Sequence, residues 1–299
     1  MRSNVLDYSL IAPPTLTAAL ETLASDPTLT PIAGGTELMV ALSAGHLPQK
    51  NLLSINHLNE LRFIEVTPDA ITIGSGTTFT DIRRHATIAS DFPLLTQAAS
   101  WTGSIANQNR GTLGGNIVNA SPAADTPPAL LVYDATLTLI SASAAAGKIA
   151  TRTIPYRMFH LGYKKTALAP GELLFSISIR RSFANYIAYT RKVGTRNAQA
   201  ISKVALACLA LFTENPANPS GRLIADIRIA AASLRETPAR CIAAEQSLLG
   251  RPITPATIAA ARAALATEAR PIDDIRSTAK YRAAVAANLL EEFLHTLAV

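Results

Sequence analysis

The chain has 299 residues, 48% apolar and 16% charged, with a net charge of +6 and two cysteines. This length allows two domains and a sizeable core. The composition excludes a disordered chain, and two cysteines exclude an all-cysteine iron–sulfur cluster held by this chain alone. No apolar run has the length of a membrane span. The first eight residues lack the apolar stretch of a signal peptide, so the cytoplasm is the expected compartment. The cations are scattered; Arg180-Arg181 and Lys164-Lys165 are the densest groups, without aromatic interleaving. That argues against nucleic acid and suits an anionic cofactor or acidic partner subunits.

In chain order, residues 15–25 predict a short amphipathic helix, with Leu16, Ala19, Leu20 and Leu23 at helical spacing. A strand over 29–33 runs into Gly34-Gly35 and a helix over 36–42, which places the first glycine pair at a strand-to-helix corner. Residues 71–76 begin as a strand and end in a turn, 81–85 open a helix, and 94–106 read as one helix leading to a second glycine pair. Strands follow at 135–141 and 173–179, with 143–147 as a hairpin tip. Further strands are expected at 186–192, 201–213 and 223–233, with a turn-rich loop over 214–221. Helices are expected at 239–249, from the N-cap Thr254 and Pro255 to about 269, and at 276–297, with Leu289, Leu290, Phe293 and Leu297 along one side. Strands before helices predict a separate C-terminal α+β domain beginning near residue 180.

The two glycine pairs lie about eighty residues apart. The first is in Pro31-Ile32-Ala33-Gly34-Gly35-Thr36-Glu37-Leu38. The second is in Gly111-Thr112-Leu113-Gly114-Gly115-Asn116-Ile117-Val118-Asn119-Ala120-Ser121-Pro122. Glycine lets backbone N–H groups approach an anion without a Cβ in the way and admits positive φ. A helix start adds unpaired N–H groups. Two such corners can close on one diphosphate, which points to a large anionic nucleotide cofactor. Asn119, Ser121 and Asp125 are candidates to hold its sugar or ribityl hydroxyls. The chain has neither GxGxxG after a strand nor GxxxxGK[ST], so a Rossmann domain and a P-loop are disfavoured.

Other constellations read as structural. The five histidines form no HExxH and no close metal pair, and GxSxG is absent. No metal ligands and no catalytic acid or base are assigned. Cys208 lies in an apolar run and reads as a core thiol. Asp273-Asp274 reads as a helix-terminal cap pair. Trp101 is a cofactor neighbour or ordinary core.

Ala33-Gly34-Gly35-Thr36, Thr112 to Ile117 and Asn119-Ala120-Ser121-Pro122 with Asp125 resemble the FAD-binding subunits of molybdenum hydroxylases, the xanthine dehydrogenase and carbon monoxide dehydrogenase medium-subunit type. The likeness continues through Ala169-Pro170-Gly171-Glu172-Leu173-Leu174 and Arg191-Lys192-Val193-Gly194-Thr195-Arg196 and covers nearly the whole chain. The resemblance implies an α+β fold: a vanillyl-alcohol-oxidase-like (PCMH-type) FAD-binding domain of two α/β subdomains, about 1–55 and 56–180, plus a domain of antiparallel strands and helices over 181–299. It implies that Ile32, Ala33, Gly34, Gly35, Thr36, Glu37 and Leu38 line the adenine–diphosphate side of FAD. Thr112, Gly115, Asn116, Asn119 and Asp125 would face the diphosphate, ribityl chain or flavin, and Leu174 would lie against the isoalloxazine ring. Lys192 matches a lysine near the ring's polar edge; on the residues alone a surface lysine is the alternative. Thr102 stands where relatives often carry an aromatic cover, and residues 197–200 lack the acids found there.

The same resemblance implies a molybdopterin-binding large subunit and a [2Fe–2S] small subunit as partners. The terminal electron acceptor would be NAD, oxygen or a quinone. A self-contained flavin oxidase or reductase, and a flavin-free scaffold, are the alternative readings.

Overall fold

The computed structural model describes residues 4–143, 147–196, 199–216 and 218–298, with the backbone alone at 218–220. A small parallel sheet comes first. Its strands β1 (Ser9–Ile11), β2 (Thr30–Ile32) and β3 (Asn51–Ser54) lie in the order β1-β3-β2. Parallel neighbours need crossovers, and these contain α1 (Leu16–Ser25) and α2 (Leu38–Ser43). The Thr15 hydroxyl accepts the Ala18 N–H to start α1, which buries Leu16, Ala19, Leu20 and Leu23 as their spacing predicts.

An antiparallel sheet follows, ordered β4-β5-β10-β6-β7. It is built from β4 (Ile64–Val66), β5 (Ala70–Gly74), β6 (Thr136–Ala142) and β7 (Ile149–Pro155); then, past a hairpin of β8 (His160–Gly162) and β9 (Lys165–Thr166), comes β10 (Leu173–Arg180). Between β5 and β6 the chain forms α3 (Phe79–Arg84), α4 (Ala86–Asp91), α5 (Pro93–Trp101), α6 (Ile105–Gln108), α7 (Leu113–Val118) and α8 (Pro127–Val132). All of these but α6 share a core with Ile71, Ile73, Leu137, Leu139, Ile177 and Ile179. Ile140 and Leu173 belong instead to the core of α1, so the antiparallel sheet is covered on both faces.

The C-terminal unit is a second antiparallel sheet of β11 (Ile187–Val193), β12 (Val204–Asn215), β13 (Asn218–Ala232) and β14 (Ala239–Arg240). It is followed by α9 (Ile242–Leu248), α10 (Pro255–Glu268) and α11 (Ala279–Leu297). Every residue from Val204 to Ala210 is buried. Val204, Leu206, Cys208 and Ala210 join the core of α9–α11, whereas Ala207 and Leu209 join the core that contains α8. One strand therefore separates two cores, which explains an apolar run without polar alternation. Burial raises the Cys208 thiol and pushes Cys241 up to about 12, so both are inert core thiols. Asp273 accepts the Ala279 N–H at the start of α11, while Asp274 accepts the Arg276 and Ser277 N–H groups and pairs with the buried Arg282 at 2.6 Å.

Several elements differ from expectation for local reasons. The helix read over 94–106 is two, because Ser104 opens α6 with a capping box to Asn107. The loop read over 214–221 shrinks to a hairpin, with β12 reaching Asn215 and β13 starting at Asn218. The helix read over 239–249 loses its first residues to β14, which extends the open edge of β13. The second glycine pair lies inside the first turns of α7, not in a free turn. The tip read at 143–147 and the stretch 197–200 fall partly outside the described residues, as do the first three residues.

Two predictions follow from this packing. Ala207→Leu forces extra methylenes between β12 and α8, so it should cost about 1–3 kcal/mol in urea unfolding. The second concerns Arg152 on β7, which donates to both oxygens of Glu172 at 2.6 Å while the Ala169 N–H donates to one of them at 2.7 Å. The guanidinium holds the Glu172 carboxyl below its ordinary 4.5. A depressed carboxyl stabilises the fold above its unfolded value, and that contribution disappears as pH falls through the folded one. Glu172→Gln should therefore cost about 1 kcal/mol at pH 7, and the gap to wild type should close in acid titrations below pH 4.5.

Candidate cofactor site

The first corner leaves β2 at Ile32, whose carbonyl accepts the Ile55 N–H at 3.0 Å. Gly35 then takes a left-handed φ of 74°, and helical bonding begins with the Met39 N–H donating to the Gly35 carbonyl at 2.9 Å. Among the described residues, the N–H groups of Gly34, Gly35, Thr36, Glu37 and Leu38 donate to no protein acceptor. The segment is half-exposed, with Glu37 further out. Five consecutive free donors of this kind are available to an anion.

The second corner is built differently. Gly111 donates to the Asn107 carbonyl, Leu113 to Thr77, Gly114 to Ser75, and Gly115 to the Thr112 hydroxyl that caps α7. Its amides are thus largely engaged within the protein, so the two corners differ: the first carries a row of free donors and the second is a framed surface. Gly115 itself is exposed, and a Cβ there would meet only the Thr112 Oγ1, at 3.0 Å. The Asn116 Oδ1 is held by the buried Thr126 hydroxyl at 2.6 Å, which leaves its amide NH2 as the free donor.

The two corners touch. A Cβ on Gly34 would lie 1.8 Å from the Arg110 carbonyl oxygen and 3.0 Å from the Gly111 Cα. The Arg110 Nε also reaches the Gly34 carbonyl at 3.4 Å. Lys164, in the β8–β9 turn, joins the corners from above: its Nζ donates to Glu37 Oε1 at 3.2 Å and to Asn119 Oδ1 at 2.5 Å. Ile32 to Leu38 and Thr112 to Asn119 therefore share one site.

The remaining expected residues have protein partners or core surroundings of their own. Asp125 is buried, with one oxygen accepting from Lys192 Nζ at 2.7 Å and the other from Ser202 at 2.6 Å. Burial raises its pKa while Lys192 opposes the rise. Lys192 is 8% exposed and also donates to the Trp101 carbonyl at 3.0 Å, so it is not a surface lysine. Both groups are committed to a brace between β11 and the loops after α5 and α7. Leu174 is a core side chain, 4% exposed. The Thr102 hydroxyl donates to the Ala98 carbonyl.

Lys164 and Arg110 join the site without having been singled out for it. The Lys164-Lys165 pair stood out as charge, but nothing local shows that its hairpin folds back over Glu37. No group of three or more His, Cys, Asp or Glu side chains among the described residues could hold a metal, and no helix there is long and apolar enough to cross a membrane.

The residues fit a dinucleotide: free donors on one side, an open glycine face on the other, and contact between the two. Residues 6–181 match the family model described as the FAD binding domain in molybdopterin dehydrogenase, and residues 189–297 match the carbon monoxide dehydrogenase flavoprotein C-terminal domain. The chain is 28% identical to the glyceraldehyde dehydrogenase medium chain of Sulfolobus acidocaldarius, covering 92% of this chain and 93% of that one. It is 29% identical to the xanthine dehydrogenase FAD-binding subunit of Escherichia coli O157:H7, covering 90% and 88%. A solved carbon monoxide dehydrogenase from Hydrogenophaga pseudoflava superposes with a TM-score of 0.86 at 26% identity, covering 95% of each chain. The chain thus belongs to the family of FAD-binding domains of molybdopterin dehydrogenases, and its cofactor is FAD.

Proposed function

We propose that this chain is the electron-transfer subunit of a molybdenum-containing hydroxylase complex. A separate large subunit carries molybdopterin and oxidises the substrate, and a separate small subunit carries two [2Fe–2S] clusters. Electrons enter this chain from those clusters and leave it for NAD, oxygen or a quinone. The observation that carries the reading is the contact between two glycine corners with a row of free amides on one of them. The medium-chain and FAD-subunit names of the relatives support it. The FAD-binding domain occupies 1–180, with its subdomains dividing near residue 55, and the C-terminal domain occupies 181–299.

FAD supplies the redox chemistry when bound; the chain binds, orients and neutralises. The amides of Gly34 to Leu38 hold the diphosphate, and the exposed Gly115 lets the ligand lie against the backbone of α7. The Asn116 amide donates from a fixed position because Thr126 holds its oxygen. Asp125 and Lys192 act as a neutral brace that sets the Trp101–Thr102 turn, and Leu174 supports the site from within the core.

Gly115→Leu should keep the fold, with Tm within about 3 °C of wild type, while weakening FAD binding by roughly 100-fold in fluorescence-quenching titrations. Unchanged affinity would remove the α7 face from the site. Asp125→Asn leaves a buried ammonium without its counter-charge and should cost about 3–5 kcal/mol in chemical denaturation. Adding Lys192→Met to that variant should recover most of the loss; a single variant as stable as wild type would refute the brace.

A further inference from the structure

The β8–β9 hairpin is fastened to every unit of the fold. The Lys164 N–H donates to the Ala120 carbonyl at 3.3 Å, beyond the end of α7. The Tyr163 N–H donates to Glu236 Oε1 at 3.0 Å, in the C-terminal unit. His160 Nε2 lies 2.8 Å from the Ile117 carbonyl, and burial lowers its pKa. The ring is therefore neutral at pH 7, and facing a carbonyl it carries its proton on Nε2 and donates it. These bonds hold the turn where the Lys164 ammonium meets Glu37 and Asn119.

Glu37 poses an electrostatic problem. It lies within the row of free amides, and its side chain is 63% exposed. A carboxylate there repels the phosphates that the amides attract. Lys164 is the cation the structure gives it, and Asn119 on the other corner shares the same ammonium. We propose that Lys164 is a positioning residue for the cofactor: held by Asn119 on the other corner, its ammonium masks the charge of Glu37, so that a diphosphate is accepted beside a carboxylate. The inference rests on the reading of the glycine corners as the FAD site and adds to it a residue outside both corners.

The test is titration of the full-length apoprotein with FAD, followed by fluorescence quenching, for wild type, Lys164→Met, Glu37→Gln and the double variant. Circular dichroism and Tm check that each is folded; both side chains reach solvent, so the folds should persist. Lys164→Met should weaken binding about tenfold, and the gap should shrink between about 0.05 M and about 0.5 M salt. Glu37→Gln should stay within about threefold of wild type or bind more tightly, because it removes the repulsion itself. The double variant should return to within about threefold of wild type for the same reason.

Wild-type affinity in Lys164→Met overturns the proposal. So does a double variant as weak as Lys164→Met, which would mean that the ammonium serves the phosphates directly, and so does a tenfold loss in Glu37→Gln. Those results leave the corner reading standing, whereas wild-type protein that takes up no FAD overturns both.

Discussion

Gly34 has no room for a side chain because the Arg110 carbonyl occupies the place a Cβ would take. That backbone-to-backbone contact joins the corner after a strand of the parallel sheet to the helical segment that covers the far face of the antiparallel one. The cofactor site depends on it. A donor row on the first unit and an open glycine face on the second lie side by side because the backbone approaches itself this closely. A larger residue at 34 would have to move one unit away from the other, and the spacing of the site would move with it.

The two corners contribute unequally, and hydrogen-bond accounting shows why. Buried N–H groups find partners wherever the fold allows. Around Gly114 they do: the carbonyls of Ser75 and Thr77 receive the amides at the start of α7 and knit that helix to the turn after β5. Around Gly35 the left-handed φ turns the backbone so that five amides in sequence meet no protein acceptor. One corner is framework, and the other is left with donors to satisfy. Asp125 and Lys192 show the complementary case, a pair of charges that satisfy each other and the Trp101 carbonyl.

Much of this was legible in the sequence. The spacing of Leu16, Ala19, Leu20 and Leu23 located α1, Thr254-Pro255 located the start of α10, and the two glycine pairs marked two corners that the fold brings into contact. Strand β7 was not legible, because nearly all of its side chains are exposed and its apolar pattern carries no alternation. Edge pairing also hid β14, where two residues of apparent helix add to β13 instead. Long-range partners were hidden for a different reason. Whether Lys192 meets solvent, a ligand or Asp125, 67 positions away, is decided by packing between units rather than by its neighbours in the chain. The same holds for Lys164 and Glu37, 127 positions apart.

Strand β12 serves two masters, since alternate side chains fill two different interiors. A β-strand offers no slack between its faces: successive residues are bound to opposite sides by the pleat. Packing at Leu206 and Ala207 is therefore coupled through the backbone, although their side chains enter different cores. A backbone shift that eases packing for one worsens it for the other. Such a strand behaves as a keel, holding the C-terminal helices and the flavin-binding half in a fixed attitude and leaving little scope for a hinge between them.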